Sequence, residues 1–225
     1  MQFIVLLQIM LYSFIIAFTG AITPGPVLTI VIKETPQRGW TTGPLVVVGH
    51  SILELILIIG LVLGLDVILE TPVAQLIICL IGGIILCILA ALMLIDALIK
   101  KISITKELNQ PSKTIKQKFV PIFDGIITSL SSPFWILWWA TIGVSLIFTE
   151  LPPLAVVPIE FGLLGLLVFY IGHILADFVW YTFISVMVAS GKKWINDKMY
   201  RIILICCAAF LIYLGISFIL RGLNL

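Results

Sequence analysis

The sequence predicts an all-α membrane protein with six transmembrane helices, arranged as two inverted three-helix repeats. Three observations predict this fold: an apolar composition, basic residues confined to alternate connections, and a motif order that occurs twice. Of the 225 residues, 61% are hydrophobic and 11% are charged, and the mean hydropathy is +1.26. A soluble domain has roughly 45–50% apolar and about 25% charged residues. The composition therefore excludes a water-soluble enzyme and a disordered chain, and the net charge of +2 excludes an electrostatic nucleic-acid binder.

Six apolar runs are long enough to cross a bilayer, since one helical span takes about 20 apolar residues. A hydrophilic segment rich in Lys, Ser and Thr separates the third run from the fourth. We therefore predict a first three-helix repeat at 1–101, a basic cytoplasmic linker at 102–118 and a second three-helix repeat at 119–225. The predicted spans lie at 3–32, 43–65, 73–98, 120–148, 160–190 and 202–220.

Basic residues are concentrated in every second connection between these runs. The first, third and fifth connections hold 12 of the 13 Lys and Arg residues, and only Arg221 lies elsewhere. Short connections rich in Lys and Arg remain in the cytoplasm. We therefore expect a multi-pass protein of the cytoplasmic membrane, with its basic loops in the cytoplasm and both termini outside.

The two halves of the chain carry the same features in the same order. Because each half has an odd number of spans, the second half must enter the membrane in the opposite sense, as in many secondary transporters. The shared features are a proline-containing interruption (23–26 and 131–133), a helix with Gly-His-x-x-x-acid (49–54 and 172–177) and a pair of small residues (82–83 and 208–209).

Two carboxylates, Glu54 and Asp177, lie deep within apolar spans. Glu54 is about eleven residues into the second span, roughly 17 Å along a helix and near the bilayer midplane. A carboxylate at that depth is unfavourable by several kcal/mol unless it is paired, protonated or in contact with water. A structural carboxyl group bonded between helices would fit each residue alone, but their equivalent positions in the two halves favour a function.

His50 and His173 each precede one of these carboxylates by four residues, and they are the two histidines of the chain. Residues four apart share a helix face, so each imidazole can hydrogen-bond its own carboxylate. The plain alternative is a histidine packed in the helix bundle. A further alternative is a divalent-metal site made by the two histidines and the two carboxylates.

The interruptions of the first and fourth spans are candidate substrate-binding elements. Proline removes a backbone donor and clashes with the preceding turn, and polar backbone freed in a membrane must line a cavity or pack inside protein. Freed backbone and helix ends can hold charged substrates, whereas a simple kink is the alternative. The candidate residues are Thr23, Pro24, Gly25, Pro26, Ser131, Ser132 and Pro133.

Trp180 follows Asp177 by three residues and is expected on a similar helix face. An aromatic ring there could contact a substrate ammonium through a cation–π interaction. Trp135, Trp138 and Trp139 of the fourth span are candidates for the same contact, and packing in the core is the alternative for all four rings.

These motifs resemble the lysine exporter (LysE/RhtB-type) family of amino-acid exporters over essentially the whole chain. The resemblance implies efflux of amino acids or similar small solutes, driven by the proton gradient. Ser132 stands where the family usually has Asn, which puts the ligand held there in doubt. The matching elements are Thr23-Pro24-Gly25-Pro26, Arg38-Gly39-x-x-x-Gly43, Gly49 with Glu54, Gly125 with Ser132-Pro133, Trp138-Trp139-Ala140-Thr141, and Gly172-His173 with Asp177.

The predicted function is therefore export of amino acids or related small zwitterions, with proton coupling and without enzymatic activity or a cofactor. The expected partners are the small-molecule substrate and the lipid bilayer, with no nucleic acid, and a homodimer is left open. The alternative is a divalent metal ion exporter that uses His50, Glu54, His173 and Asp177.

Overall fold

A computed structural model describes residues 2–23, 25–69, 71–98, 119–148, 157–191 and 197–223, and the described residues are helical with short turns between helices. The predicted linker at 102–118 and Pro24 lie outside the described residues. In chain order the helices are α1 (Gln2–Ile22), α2 (Pro26–Arg38), α3 (Thr42–Val62), α4 (Leu65–Leu69), α5 (Pro72–Leu98), α6 (Val120–Leu130), α7 (Pro133–Trp138), a π-helical turn (Trp139–Gly143), α8 (Val144–Phe148), a 3-10 turn (Pro158–Phe161), α9 (Gly162–Gly191) and α10 (Asp197–Leu223).

Within the described ranges, five helical stretches are long and apolar enough to cross a membrane. They are Phe3–Ile22, Thr42–Val62, Pro72–Ile95, Pro158–Gly191 and Asp197–Leu223. A shorter apolar helix, Val120–Leu130, lies at the start of the fourth predicted span. The described residues thus form several helices that could cross a membrane, and the fourth predicted span is broken into short segments.

The first predicted span, 3–32, is two helices rather than one continuous helix. The helix α1 ends at Ile22, and α2 begins at Pro26 and continues to Arg38, six residues beyond the expected end. Proline is tolerated at the first helical position because the N–H it lacks would have no intrahelical partner there. The extension beyond residue 32 carries an ion pair between Arg38 Nε and Glu34 Oε2 at 2.8 Å, which hydropathy alone could not reveal.

The fourth predicted span, 120–148, is also interrupted. The helix α6 ends at Leu130, and α7 begins at Pro133 after the Ser131-Ser132 turn. The Ser132 hydroxyl oxygen caps α7 by accepting a hydrogen bond from the Trp135 backbone N–H at 3.3 Å. A π-helical turn follows at Trp139–Gly143, and π-helical turns within helices occur frequently at functional sites.

The long helices pack in three pairs. The helix α1 packs along α9, α3 packs along α6, and α5 packs along α10, while α9 also contacts α3. The outward face of α5 carries an exposed aliphatic stripe at helical spacing, which suits contact with lipid tails. The stripe consists of Ile77, Ile81, Ile84, Ile88 and Leu92.

Glycines allow the helix pairs around the centre to approach closely. A Cβ atom on Gly49 would overlap the Ile122 carbonyl of α6, and one on Gly172 would overlap the Met10 carbonyl of α1. The glycine of each Gly-His motif therefore permits contact with the first helix of the other half of the chain. Gly125 lies on α6, the other helix of this crossing, and a Cβ atom there would overlap the Val46 carbonyl of α3.

Replacing Gly49 with Ala is expected to destabilise the protein by about 1–3 kcal/mol, because the new methyl group would force α3 away from α6. The midpoint of thermal unfolding in detergent, followed by tryptophan fluorescence, measures the loss. Gly20→Ala is the matched control, since a Cβ atom there would lie 3.7 Å from Trp138, an ordinary contact distance. Equal midpoints for the two variants would contradict the close crossing.

Candidate functional site

A cavity lies where both interruptions meet the helices that carry the buried carboxylates, and its volume is about 550 Å³ when the space open to solvent is included. Its wall is formed by the end of α1, the start of α2, and parts of α3, α7 and α9. Small residues of α1, including Ala17, Gly20 and Ala21, leave room on one side. The predicted site residues that line it are Thr23, Gly25, Pro26, His50, Glu54, Ser132, His173 and Asp177.

Three predicted residues do not line this cavity, and Pro24 lies outside the described residues. Ser131 donates its hydroxyl to the Thr128 carbonyl at 2.9 Å, and Pro133 packs against Gly82 of α5. Trp180 packs edge-on against Phe18, with ring centroids 5.9 Å apart. A residue three positions after Asp177 is rotated by about 60° around the helix axis, which turns the indole toward α1.

The two carboxylates and two histidines converge in the cavity wall. Glu54 is 1% exposed, and its Oε1 lies 3.1 Å from His50 Nε2 and 3.4 Å from His173 Nε2. Asp177 approaches from α9, with its Oδ2 at 3.8 Å from the same His50 nitrogen. His50 therefore lies between the two carboxylates and connects the two halves of the chain.

The partner of His173 differs from the expected one. Helical spacing predicts that His173 bonds Asp177 on its own helix, but its Nε2 lies against Glu54 Oε1 of α3. Spacing of four residues places two side chains on one face without bringing them into contact. The packing of α9 against α3 decides which carboxylate the ring meets.

Two tryptophans of the fourth span are the direct donors to Glu54, a partner that the sequence does not predict. The indole N–H groups of Trp135 and Trp139 both donate to Glu54 Oε1, each at 3.1 Å. These residues are four apart and follow the second interruption, so a helix beginning at Pro133 presents them on one face. The spacing was available as a signal, but it predicts a shared face and not the carboxylate that both rings meet.

Ser129 is a residue that sequence reasoning missed. Its hydroxyl donates to the Gly125 carbonyl at 2.6 Å, and its oxygen lies 2.6 Å from His50 Nδ1. A hydroxyl has one proton to donate, so the Ser129 oxygen accepts from the Nδ1–H of His50. This contact sets the orientation of the ring and directs Nε2 toward the two carboxylates.

A family model described as LysE type translocator matches residues 18–222. The chain belongs to the LysE type translocator family. The predicted resemblance is thereby confirmed, and the match covers both interruptions and every residue of the cavity wall except Ala17. Neither the comparison with curated proteins nor the comparison with solved structures gave a match. As a LysE type translocator, the protein is a membrane transporter, and its family is not a family of enzymes.

The cavity of this LysE type translocator contains three groups at metal-ligand spacing. One ligand atom each from His50, Glu54 and Asp177 lies within 4.8 Å of the others. However, the two indole N–H groups direct their positive ends at Glu54 Oε1, the oxygen closest to both histidines. Indole N–H is a donor only, so a cation bound to this oxygen would face two fixed positive dipoles.

We expect this LysE type translocator to bind zinc, manganese and cadmium more weakly than micromolar, because the indole donors occupy the Glu54 oxygen. Calorimetric titration of the purified protein in detergent measures the affinity. The His50→Ala and His173→Ala variants are the comparison, since each removes one candidate ligand. Micromolar binding that both variants lose would establish a metal site and contradict this expectation.

Proposed function

We propose that the protein exports amino acids or related small zwitterions across the cytoplasmic membrane in exchange for protons. The observation that carries the proposal is the convergence of Glu54, Asp177, His50 and His173 on one cavity beside both helix interruptions. A small solute with one cationic and one anionic group fits this arrangement.

Acceptors for a substrate ammonium are present in the wall. Glu54 Oε2 and Asp177 Oδ2 are buried and have no hydrogen-bond partner among the described residues. A buried acceptor without a partner is unfavourable by about 1–3 kcal/mol, and more when it is charged. An ammonium group has three donors and a positive charge, so it could donate to either oxygen.

A place for the substrate carboxylate lies at the start of α2. Gly25, Pro26 and Val27 line the same cavity as the two acidic residues. The first backbone N–H groups of a helix have no intrahelical partner, and the helix dipole favours an anion there. In this arrangement the carboxylate of a zwitterion would lie at the start of α2, and its ammonium group would lie at the acidic residues.

The rings of the fourth span give the cavity an aromatic side. Trp135 and Trp138 line it together with Phe134. An ammonium near an aromatic face gains cation–π attraction, and this attraction is strongest where water is excluded. In this proposal these rings take the role that the sequence suggested for Trp180.

The proposed architecture has six spans in two inverted repeats, 1–101 and 119–225, joined by the linker at 102–118. The first span comprises α1 and α2, and the fourth comprises α6, α7, the π-helical turn and α8. If the two halves are exchanged, the first span takes the place of the fourth, and the fifth span takes the place of the second. The first span packs against the fifth, and the fourth packs against the second, so both equivalent pairs are in contact. With the basic connections in the cytoplasm, both termini lie outside.

Asp177→Asn is expected to abolish pH-driven amino-acid transport, reducing it to the level of protein-free vesicles. An amide cannot take up and release the coupling proton, whereas substrate exchange at equal pH needs no net proton movement and should survive. Both rates are measured in reconstituted vesicles with a panel of labelled amino acids.

Glu160→Gln is the matched control for this variant, because it makes the same acid-to-amide change at an exposed position away from the cavity. The control should retain both activities. Wild-type vesicles that move none of the amino acids in response to a pH gradient would overturn the proposed function.

A further inference from the structure

The contacts of the two cavity carboxylates are unequal although their sequence motifs match. We propose that Trp135 and Trp139 are positioning residues that keep Glu54 as a permanent anion for the substrate ammonium, which leaves Asp177 as the carrier of the coupling proton. This division of tasks rests on the proposed function, since it assigns the ammonium and the proton of that transport cycle to different side chains.

The donors around Glu54 support its role as an anion. Its Oε1 accepts from both indole N–H groups at 3.1 Å, and neither donor can reverse its direction. Hydrogen bonds to an ionised acceptor are roughly twice as strong as those between neutral groups, so both contacts favour the carboxylate over the acid. The remaining oxygen, Oε2, has no partner among the described residues and is available to the substrate.

The orientation of His50 supports the same charge state. Its Nδ1–H is committed to Ser129, so its Nε2 faces Glu54 Oε1 at 3.1 Å. A neutral ring in this orientation would place a lone pair against the carboxylate oxygen. A proton must therefore lie between them, and the two indole donors to Oε1 favour its position on Nε2. The pair is then an imidazolium and a carboxylate.

Asp177 has none of these indole contacts. The charged and titratable groups that face it are His50 and Glu54 from α3, with His173 and Tyr181 on its own helix. The described residues that α1 and α2 contribute to the wall carry no titratable side chain. Asp177 Oδ2 lies 3.8 Å from His50 Nε2, beyond hydrogen-bonding distance, and is free to hold or release a proton.

The sequence repeat is broken at the residues that create this difference. Pro26 and Pro133 each begin the helix after an interruption, and aligning them pairs Trp135 with Leu28 and Trp139 with Ile32. The first half therefore has no indole donor at the positions that would serve Asp177. The two Gly-His-x-x-x-acid motifs have the same form, but the second half of the chain supplies two indole donors to Glu54 and the first half supplies none to Asp177.

The first test compares Glu54→Gln with Asp177→Asn in substrate exchange at equal pH on both sides of the vesicle membrane. Glu54→Gln should lose exchange as well as pH-driven transport, because the ammonium has lost its anion. Asp177→Asn should retain exchange, and Glu160→Gln should behave as the wild type.

These outcomes separate the two proposals. If wild-type vesicles transport amino acids but both variants lose exchange, or Asp177→Asn alone loses it, the division of tasks is wrong and the proposed function stands. If the wild type transports no amino acid, the proposed function fails and the ammonium assignment fails with it.

The second test uses Trp135→Phe combined with Trp139→Phe, which keeps aromatic rings and removes both donors. Glu54 should then accept a proton as the pH falls, so the KM for exchange should rise by about tenfold at about pH 6. The KM should return toward the wild-type value at about pH 8, where the carboxylate re-forms.

A purely structural role for these tryptophans would raise KM equally at both pH values, and that result would overturn the proposal. The two single variants should show smaller shifts in the same direction, and they replace the double variant if it does not fold. Trp40→Phe, at an exposed indole away from the cavity, is the matched control and should show the wild-type pH dependence.

Discussion

A carboxylate buried inside a membrane protein must be paired, protonated or in contact with water, and the partners of Glu54 come from both halves of the chain. Its Oε1 contacts His50 of α3, His173 of α9, and the indoles of Trp135 and Trp139 after the second interruption. The hydrogen bonds repay part of the desolvation of a charge that would otherwise be unfavourable at this depth. Correct assembly of this one site therefore requires both halves of the chain to pack together.

The helix interruptions follow from the same physical constraint. Lipid offers no partner to a freed N–H or C=O group, so an interrupted helix must direct its open backbone toward protein or a cavity. Gly25 and Ser132 both line the cavity that holds Glu54 and Asp177. Polar backbone, polar side chains and the space of the cavity consequently occupy the same place.

The buried carboxylates and histidines of the candidate site could be predicted from the sequence, whereas their partners could not. Glu54, Asp177 and the histidines stand out because charged groups are rare in apolar runs. Trp135 and Trp139 stand out only as tryptophans deep in a span, and Ser129 does not stand out, since a hydroxyl in a helix has several ordinary uses. Trp180 was placed near Asp177 by spacing alone, and the actual packing turns it toward Phe18.

The sequence by itself determined the membrane class, the helical segments, the two proline interruptions and the family, because composition and spacing act locally along the chain. Only the tertiary structure decided that His173 meets Glu54 and that two indoles serve one carboxylate and not the other. These choices depend on how closely helices cross at Gly49 and Gly172, and on the rotation of each helix against its neighbour. Helical periodicity assigns a residue to a face, but distances between side chains on different helices arise only when those faces pack.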